Sequence, residues 1–133
     1  MITIKELQTA INKELKIDHN KLDFDASENP LLIQKYINIF LGESTTINKL
    51  QKQYEQLYAE KIVFYRTKYS LIPDTQKELL IFVDGDEEVR ELKEKISNQS
   101  SLIKFISETI SNFRDRGWAI KNMIEFRKFL AGE

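Results

Sequence analysis

From Val89 to Ile124 the chain keeps a rhythm that few folds can accommodate. Val89, Leu92, Ile96, Gln99, Ile103, Ile106, Ile110, Phe113, Gly117, Ile120 and Ile124 follow one another at steps of three and four without a slip. Such steps line up side chains on one face of an α-helix, and a sustained spacing near 3.5 residues belongs to coiled coils and helical hairpins. A second row runs beside the first through Leu102, Phe105, Thr109, Asn112, Arg116, Ala119, Met123, Phe126 and Leu130. The apolar face is therefore wide, and longer than a core of this size requires. The spacing predicts a long helix packed on another helix, and is compatible with a partner in the same chain or in a second copy.

The remaining punctuation is sparse, with 4 Gly and 2 Pro in 133 residues. Thr3 and Glu6 form a capping-box pattern ahead of Ile4, Leu7, Ile11 and Leu15, which predicts a short helix over residues 4–16. The polar stretch DHNKLDFDASEN reads as turn, and Asn29 followed by Pro30 reads as an N-cap and first helical residue opening a second helix. GESTT, residues 42–46, is a candidate interruption of that helix. The pattern then resumes and runs to about Tyr69. SLIPDT is the clearest break in the chain, and ELLIF before Asp84 fits either a buried strand or a buried helical turn. In size the chain is one helical domain: an N-terminal part to residue 70, a connection over 71–88 and a long helix over 89–133. The fold class predicted is mainly α.

Composition closes off several kinds of chemistry. There is no Cys and a single His, His19 in a polar turn, so thiolate sites, disulfides and His-based metal clusters have no ligands. No Gly-rich phosphate loop occurs, and no nucleophile, base and orienting group can be assembled, so no catalytic residue is assigned and no cofactor or metal is expected. Asp84, Asp86 and Glu88 alternate like the start of a calcium loop, but its sixth and twelfth positions hold Val89 and Lys95 rather than Gly and Glu. Asp84 or Asp86 is better read as the N-cap of the long helix. No apolar run approaches the ~20 residues that span a bilayer.

The net charge of -1 conceals strong local differences. Residues 49–69 hold five Lys/Arg against two Asp/Glu, residues 70–94 three against eight, and residues 114–133 five against three. The first of these segments also places Tyr54, Tyr58, Phe64, Tyr65 and Tyr69 among Lys61, Arg66 and Lys68. Cations that track phosphates, with aromatic faces on which bases stack, are how single-stranded nucleic acid is held. A packed helix with a solvated edge would produce the same string. Near the other end, Arg114, Lys121 and Lys128 recur at seven-residue steps on one side of the helix. Arg116, Arg127 and Lys128 sit where positive charge complements a helix C-terminus.

The closing string RGWAIKNMIEFRKFLAGE resembles the C-terminus of the UvsY family, the recombination mediators of T-even-type phages. Arg116, Gly117, Trp118, Ala119, Ile120, Lys121, Arg127, Phe129, Ala131 and Gly132 carry the likeness. Residues 17–29, 59–68 and 83–89 resemble the family's first turn, its basic-aromatic segment and the lead-in to its last helix. The family's basic segment is diluted here by Glu60, Ile62 and Val63.

The resemblance implies a helical, non-enzymatic protein that assembles into a hexameric or heptameric ring in the cytoplasm of the infected bacterial host. Such a ring binds single-stranded DNA and promotes loading of a phage recombinase onto DNA coated by single-strand-binding protein. On that reading Lys52, Lys61, Arg66 and Lys68 contact phosphates and Tyr58 and Tyr65 stack on bases. Arg114, Arg116, Lys121 and Lys128 form a second basic set for DNA or subunit contact. Val89, Leu92, Ile96, Ile103, Ile106, Ile110, Phe113, Ile120 and Ile124 form the oligomerisation seam. The rival expectation, which the seam alone would favour, is a small coiled-coil adaptor or assembly chaperone without nucleic acid. A duplex binder is disfavoured because stacked base pairs offer few free faces to the aromatics.

Overall fold

Thr3 opens the first helix as its sequence announces. In the computed structural model, which describes residues 3–69 and 71–132, its Oγ1 accepts from the Glu6 N–H at 3.2 Å and the Glu6 carboxylate accepts from the Thr3 N–H at 3.2 Å. This reciprocal cap is worth about 1 kcal/mol. Helix α1 runs Ile4–Glu14 and buries Leu7 and Ile11. Helix α2 runs Leu22–Thr67, α3 Gln76–Asp84 and α4 Glu87–Leu130, and no strand occurs among the described residues.

Two expected boundaries are corrected. Asn29–Pro30 does not open a helix: α2 has already begun at Leu22, and Pro30 lies inside it. A proline there removes one i→i−4 bond, at a cost of ~3 kcal/mol in an ordinary helix interior. The Asn29 side chain is used for tertiary contact instead, donating to the Phe113 carbonyl at 2.8 Å. GESTT does not interrupt α2 either. The ambiguous ELLIF segment is helical, with Leu79 and Val83 one turn apart and buried. Thr75 caps α3 by accepting from the Glu78 N–H at 3.1 Å. Asp86 is the cap of α4, its Oδ1 accepting from the Val89 N–H at 3.2 Å. Between α2 and α3 lies the expected break, whose first residue, Ser70, is outside the described residues.

Two compact units divide the chain, residues 1–42 with 102–133 and residues 43–101. In the first, Leu7 and Ile11 of α1, Leu32 and Tyr36 of α2, and Leu102, Ile106, Ile110 and Phe113 of α4 form one core. Tyr36 stacks on Phe113 with ring centroids 5.2 Å apart, and both are fully buried. Each such side chain contributes roughly 1.5–3 kcal/mol by leaving water. The Tyr36 hydroxyl donates to Glu14 at 2.8 Å, which satisfies the one polar atom that this ring carries inward. In the second unit, Leu79 and Val83 of α3 and Val89 of α4 are packed beneath Tyr54, Leu57, Tyr58, Ile62 and Tyr65 of α2.

The apolar rhythm of α4 thus meets its own chain at several positions. Val89, Ile106, Ile110, Phe113 and Ile120 are buried within the fold, so the expected intermolecular seam is corrected there to an intramolecular core. Leu92, Ile96, Ile103 and Ile124 are half-buried. What α4 leaves uncovered lies near its C-terminal end, where Trp118, Phe126, Phe129 and Leu130 are each more than 60% exposed.

Candidate nucleic-acid interface

At 3.6 residues per turn, Tyr54, Leu57, Tyr58, Lys61 and Tyr65 share one face of α2, and Lys52, Val63 and Arg66 fall on the opposite one. Burial follows that division. Tyr58, Lys61 and Tyr65 are half-buried, whereas Lys52, Arg66 and Lys68 are exposed. The six expected contact residues are therefore not brought to one surface: Lys52 and Arg66 lie outward, Lys68 is exposed just past the end of α2, and the other three turn toward the α3–α4 junction.

The inward three are all engaged by acidic residues of that junction. Tyr58 Oη donates to Asp84 at 3.0 Å, and Tyr65 Oη to Asp86 at 2.7 Å. Lys61 Nζ lies 3.3 Å from Asp86 and 3.3 Å from Glu88, and 5.5 Å from the centre of the Phe64 ring. Asp86 is the hub, because it caps α4 and binds Tyr65 and Lys61 at once. Burial pushes its carboxyl up, but the hydrogen bonds from Tyr65 and the Val89 N–H and the nearby Lys61 ammonium outweigh burial and hold it below the usual carboxylate range. The bond to Asp86, burial and the carboxylate charge together push the Tyr65 phenol up to about 12. Burial and the bond to Asp84 also raise Tyr58. Burial presses the Lys61 ammonium down, yet Glu88 and Asp86 leave its pKa above the ordinary lysine value.

The rings of Tyr65 and Tyr58, expected to stack on bases, are engaged within the protein. Tyr65 stacks on Phe82 at 6.0 Å and meets Tyr69 edge-on at 4.8 Å. Tyr58 packs against Tyr54 at 5.7 Å. Both rings belong to the packed cluster. Among the aromatics of this stretch, Phe64 is the more open, at 38% exposed. Outward, Arg66 Nη2 approaches Gln76 Oε1 at 3.5 Å and lines a surface depression of about 180 Å³ with Pro73, Asp74 and Thr75.

The second basic set also separates. Arg114, Lys121 and Lys128 are exposed, and Lys121 Nζ sits 5.2 Å over the exposed Trp118 ring. With Arg114, Gly117, Asn29 and Ile33 these two residues line an open cleft of about 350 Å³. Arg116 is buried and faces inward, a correction to its expected role in surface contact. Its Nε donates to the Leu15 carbonyl at 3.2 Å, its Nη2 to the Lys16 carbonyl at 3.1 Å and its Nη1 to Asn29 Oδ1 at 2.7 Å. Asp25 supplies the counter-charge at 3.6 Å. Arg116 thereby closes the C-terminal end of α1 with a side chain from α4.

The sequence groups Lys61 with Lys52, Arg66 and Lys68, and Arg116 with Arg114, Lys121 and Lys128; it does not separate the engaged Lys61 and Arg116 from the exposed members, and it misses the roles of Asp25 and Asn29. Asn29 was visible only as a cap candidate, and nothing local announces its tie to Arg116. Among the described residues no group of three His, Asp or Glu is placed to hold a metal ion, and no helix is long and apolar enough to cross a membrane.

Comparison with known proteins matches this arrangement to one family. The family model described as "Recombination, repair and ssDNA binding protein UvsY" matches residues 10–133. The recombination protein UvsY of Enterobacteria phage T4 is 22% identical over 135 aligned positions, which cover 98% of this chain and 98% of that protein. A crystal structure of the bacteriophage T4 recombination mediator protein UvsY, lattice type II, superposes with a TM-score of 0.89 at 20% identity, covering 98% of this chain and 99% of that one. Lattice type IV gives 0.88 at 22% identity, covering 96% and 98%.

Proposed function

The chain belongs to the UvsY family of recombination, repair and single-stranded-DNA-binding proteins, and from that premise we propose that it is a recombination mediator acting in the cytoplasm of an infected bacterial host. It binds single-stranded DNA and promotes the loading of a recombinase onto strands coated by single-strand-binding protein. The observation that carries the reading is the set of exposed basic side chains on and just past α2, Lys52 and Arg66 on its outward face and Lys68 just past its last residue, in a segment of net charge +3. Cations spaced along a helix can follow a flexible phosphate backbone, which is a sequence-independent mode of binding.

A single near-neutral subunit is a poor ligand for a polyanion. Assembly of identical subunits into a ring overcomes this, because each further contact along one strand becomes intramolecular and gains effective concentration. The exposed apolar side chains Trp118, Phe126, Phe129 and Leu130 supply a surface that a second copy would cover. Arg114, Lys121 and Lys128 border it as contacts to DNA or to the neighbouring subunit. The adaptor alternative loses its main support, since much of the α4 seam is spent inside the chain.

The mediator step is tested by following recombinase filament formation on single strands already saturated with single-strand-binding protein. Addition of this protein should shorten the lag and raise the filament yield. An unchanged lag, with protein that binds the bare strand, would reduce the function to DNA binding alone.

A further inference from the structure

Three of the six candidate contact residues on and just past α2 already hold carboxylates. Lys61 Nζ bridges Asp86 and Glu88 at 3.3 Å each, and the Tyr58 and Tyr65 hydroxyls donate to Asp84 and Asp86 at 3.0 and 2.7 Å. All these residues lie in one compact unit, residues 43–101. The acidic groups come from one short stretch, Asp84 to Glu88, which includes the α3–α4 turn and first residues of α4. Asp86 and Glu88 give Lys61 the anionic oxygen partners that a phosphate would otherwise offer it.

We propose that Asp86 and Glu88 act as a built-in phosphate substitute, competing with single-stranded DNA for Lys61 and so setting the affinity of this helix for DNA. This inference rests on the reading of α2 as a DNA-binding element. The two acids at Lys61 have different duties. Asp86 is buried, caps α4 and anchors Tyr65, so it keeps the clasp in register. The Glu88 side chain is 67% exposed and, among the described residues, is held by its ion pair to Lys61. It is the partner that a phosphate can displace at little structural cost, since an exposed pair is weak and is screened by salt. When a strand displaces it, Lys61 pairs with a phosphate in its place, and Glu88 returns to solvent.

The clasp makes affinity a difference between two ion pairings. A strand reaches Lys61 only by releasing Glu88, so the net count of released counterions is smaller than the number of cations on α2 suggests. Weak individual sites suit a protein whose subunits act together and must let a strand pass to another protein.

The test is fluorescence anisotropy of a labelled oligothymidine, titrated with the full-length protein across a range of NaCl concentrations. Glu88→Gln keeps the side-chain volume and removes the competing charge. Asp86→Asn keeps the helix cap, because Asn and Asp cap equally well. Glu88→Gln should tighten binding roughly 3-fold at low salt, and the Asp86→Asn/Glu88→Gln pair more, with the log–log salt slope steeper by about 0.7 for one added phosphate contact. Glu94→Gln, the same charge change at an exposed position farther along α4, reports the effect of net charge alone and should be much smaller. In a Lys61→Gln background Glu88→Gln should fall to the level of that control. If Glu88→Gln matches Glu94→Gln while the parent protein binds, the clasp is overturned and the DNA-binding reading stands. If the parent does not bind at all, both fall together.

Discussion

Arg116 on α4 donates through Nη1 to Oδ1 of Asn29 on α2 at 2.7 Å, across 87 residues of sequence. The same Asn29 uses Nδ2 to bind the Phe113 carbonyl at 2.8 Å, and Asp25 stands 3.6 Å from the guanidinium. Each polar atom in this buried group has a partner. The network also gathers the Leu15 and Lys16 carbonyls at the end of α1, so one side chain fastens three helices.

Removing that side chain should be expensive. Arg116→Ala leaves the Asp25 carboxylate without its counter-charge and strips donors from Asn29 and two carbonyls. Breaking one side of a buried pair costs about 3–5 kcal/mol. Urea unfolding should show a loss of that size, with Arg116→Lys intermediate because an ammonium cannot reproduce the fork. A loss below about 1 kcal/mol would place the network among ordinary surface pairs.

Gly117 and Gly42 should respond in opposite directions to the same substitution. Both lie inside helices, where Gly→Ala ordinarily gains about 1 kcal/mol. A Cβ at Gly42 would have nothing within 4 Å, and Gly42→Ala should stabilise. At Gly117 it would come within 2.9 Å of Asn29 Nδ2, an atom held in place by its bond to Phe113. Gly117→Ala should therefore destabilise by roughly 1–3 kcal/mol, the usual cost of overpacking. Thermal unfolding of the two variants side by side separates the outcomes.

Stability should carry a pH signature from Asp86. Its carboxyl is held below the usual range when folded, so its contribution is fully present above the unfolded value of about 3.9 and is lost as pH falls through the lower, folded one. Asp86→Asn removes that dependence. Denaturation midpoints between about pH 6 and pH 3 should fall less steeply for the variant than for the parent. Tyr65 behaves in the opposite sense. Its phenol is raised to about 12, so its contribution is complete below pH ~10 and is lost as pH rises through the folded value. Ultraviolet titration of Tyr65→Phe against the parent should remove a late-ionising phenol.

The long-range order of the chain was legible where one physical rule dominates. Thr3, Glu6 and the three-four rhythm of α4 each depend on neighbours a turn away, and those neighbours are in the sequence. Asn29–Pro30 misled because the local pair has a common use at helix starts, whereas here Asn29 answers to Phe113 and Arg116. Gly42 misled for a milder reason: a long helix with cores on its face absorbs one poor residue. Lys61 and Arg66 look alike in sequence. Only the helical phase against α3 and α4 separates the clasped cation from the open one, and that phase was readable from Tyr54, Leu57 and Tyr65 once they are treated as core.

Whether the exposed cations on α2 and just past its end bind single-stranded DNA decides the whole functional reading. The direct measurement is anisotropy of a labelled oligothymidine with the parent protein and a Lys52→Ala/Arg66→Ala/Lys68→Ala variant, titrated at low and high NaCl with unlabelled duplex as competitor. The parent should bind, lose affinity steeply with salt and resist the duplex. The variant, with the same helicity and assembly state, should bind many-fold more weakly and with a salt slope shallower by about 0.7 for each phosphate that no longer meets a cation. Equal affinity and equal slope for the two proteins would contradict the assignment of this edge of α2 to DNA.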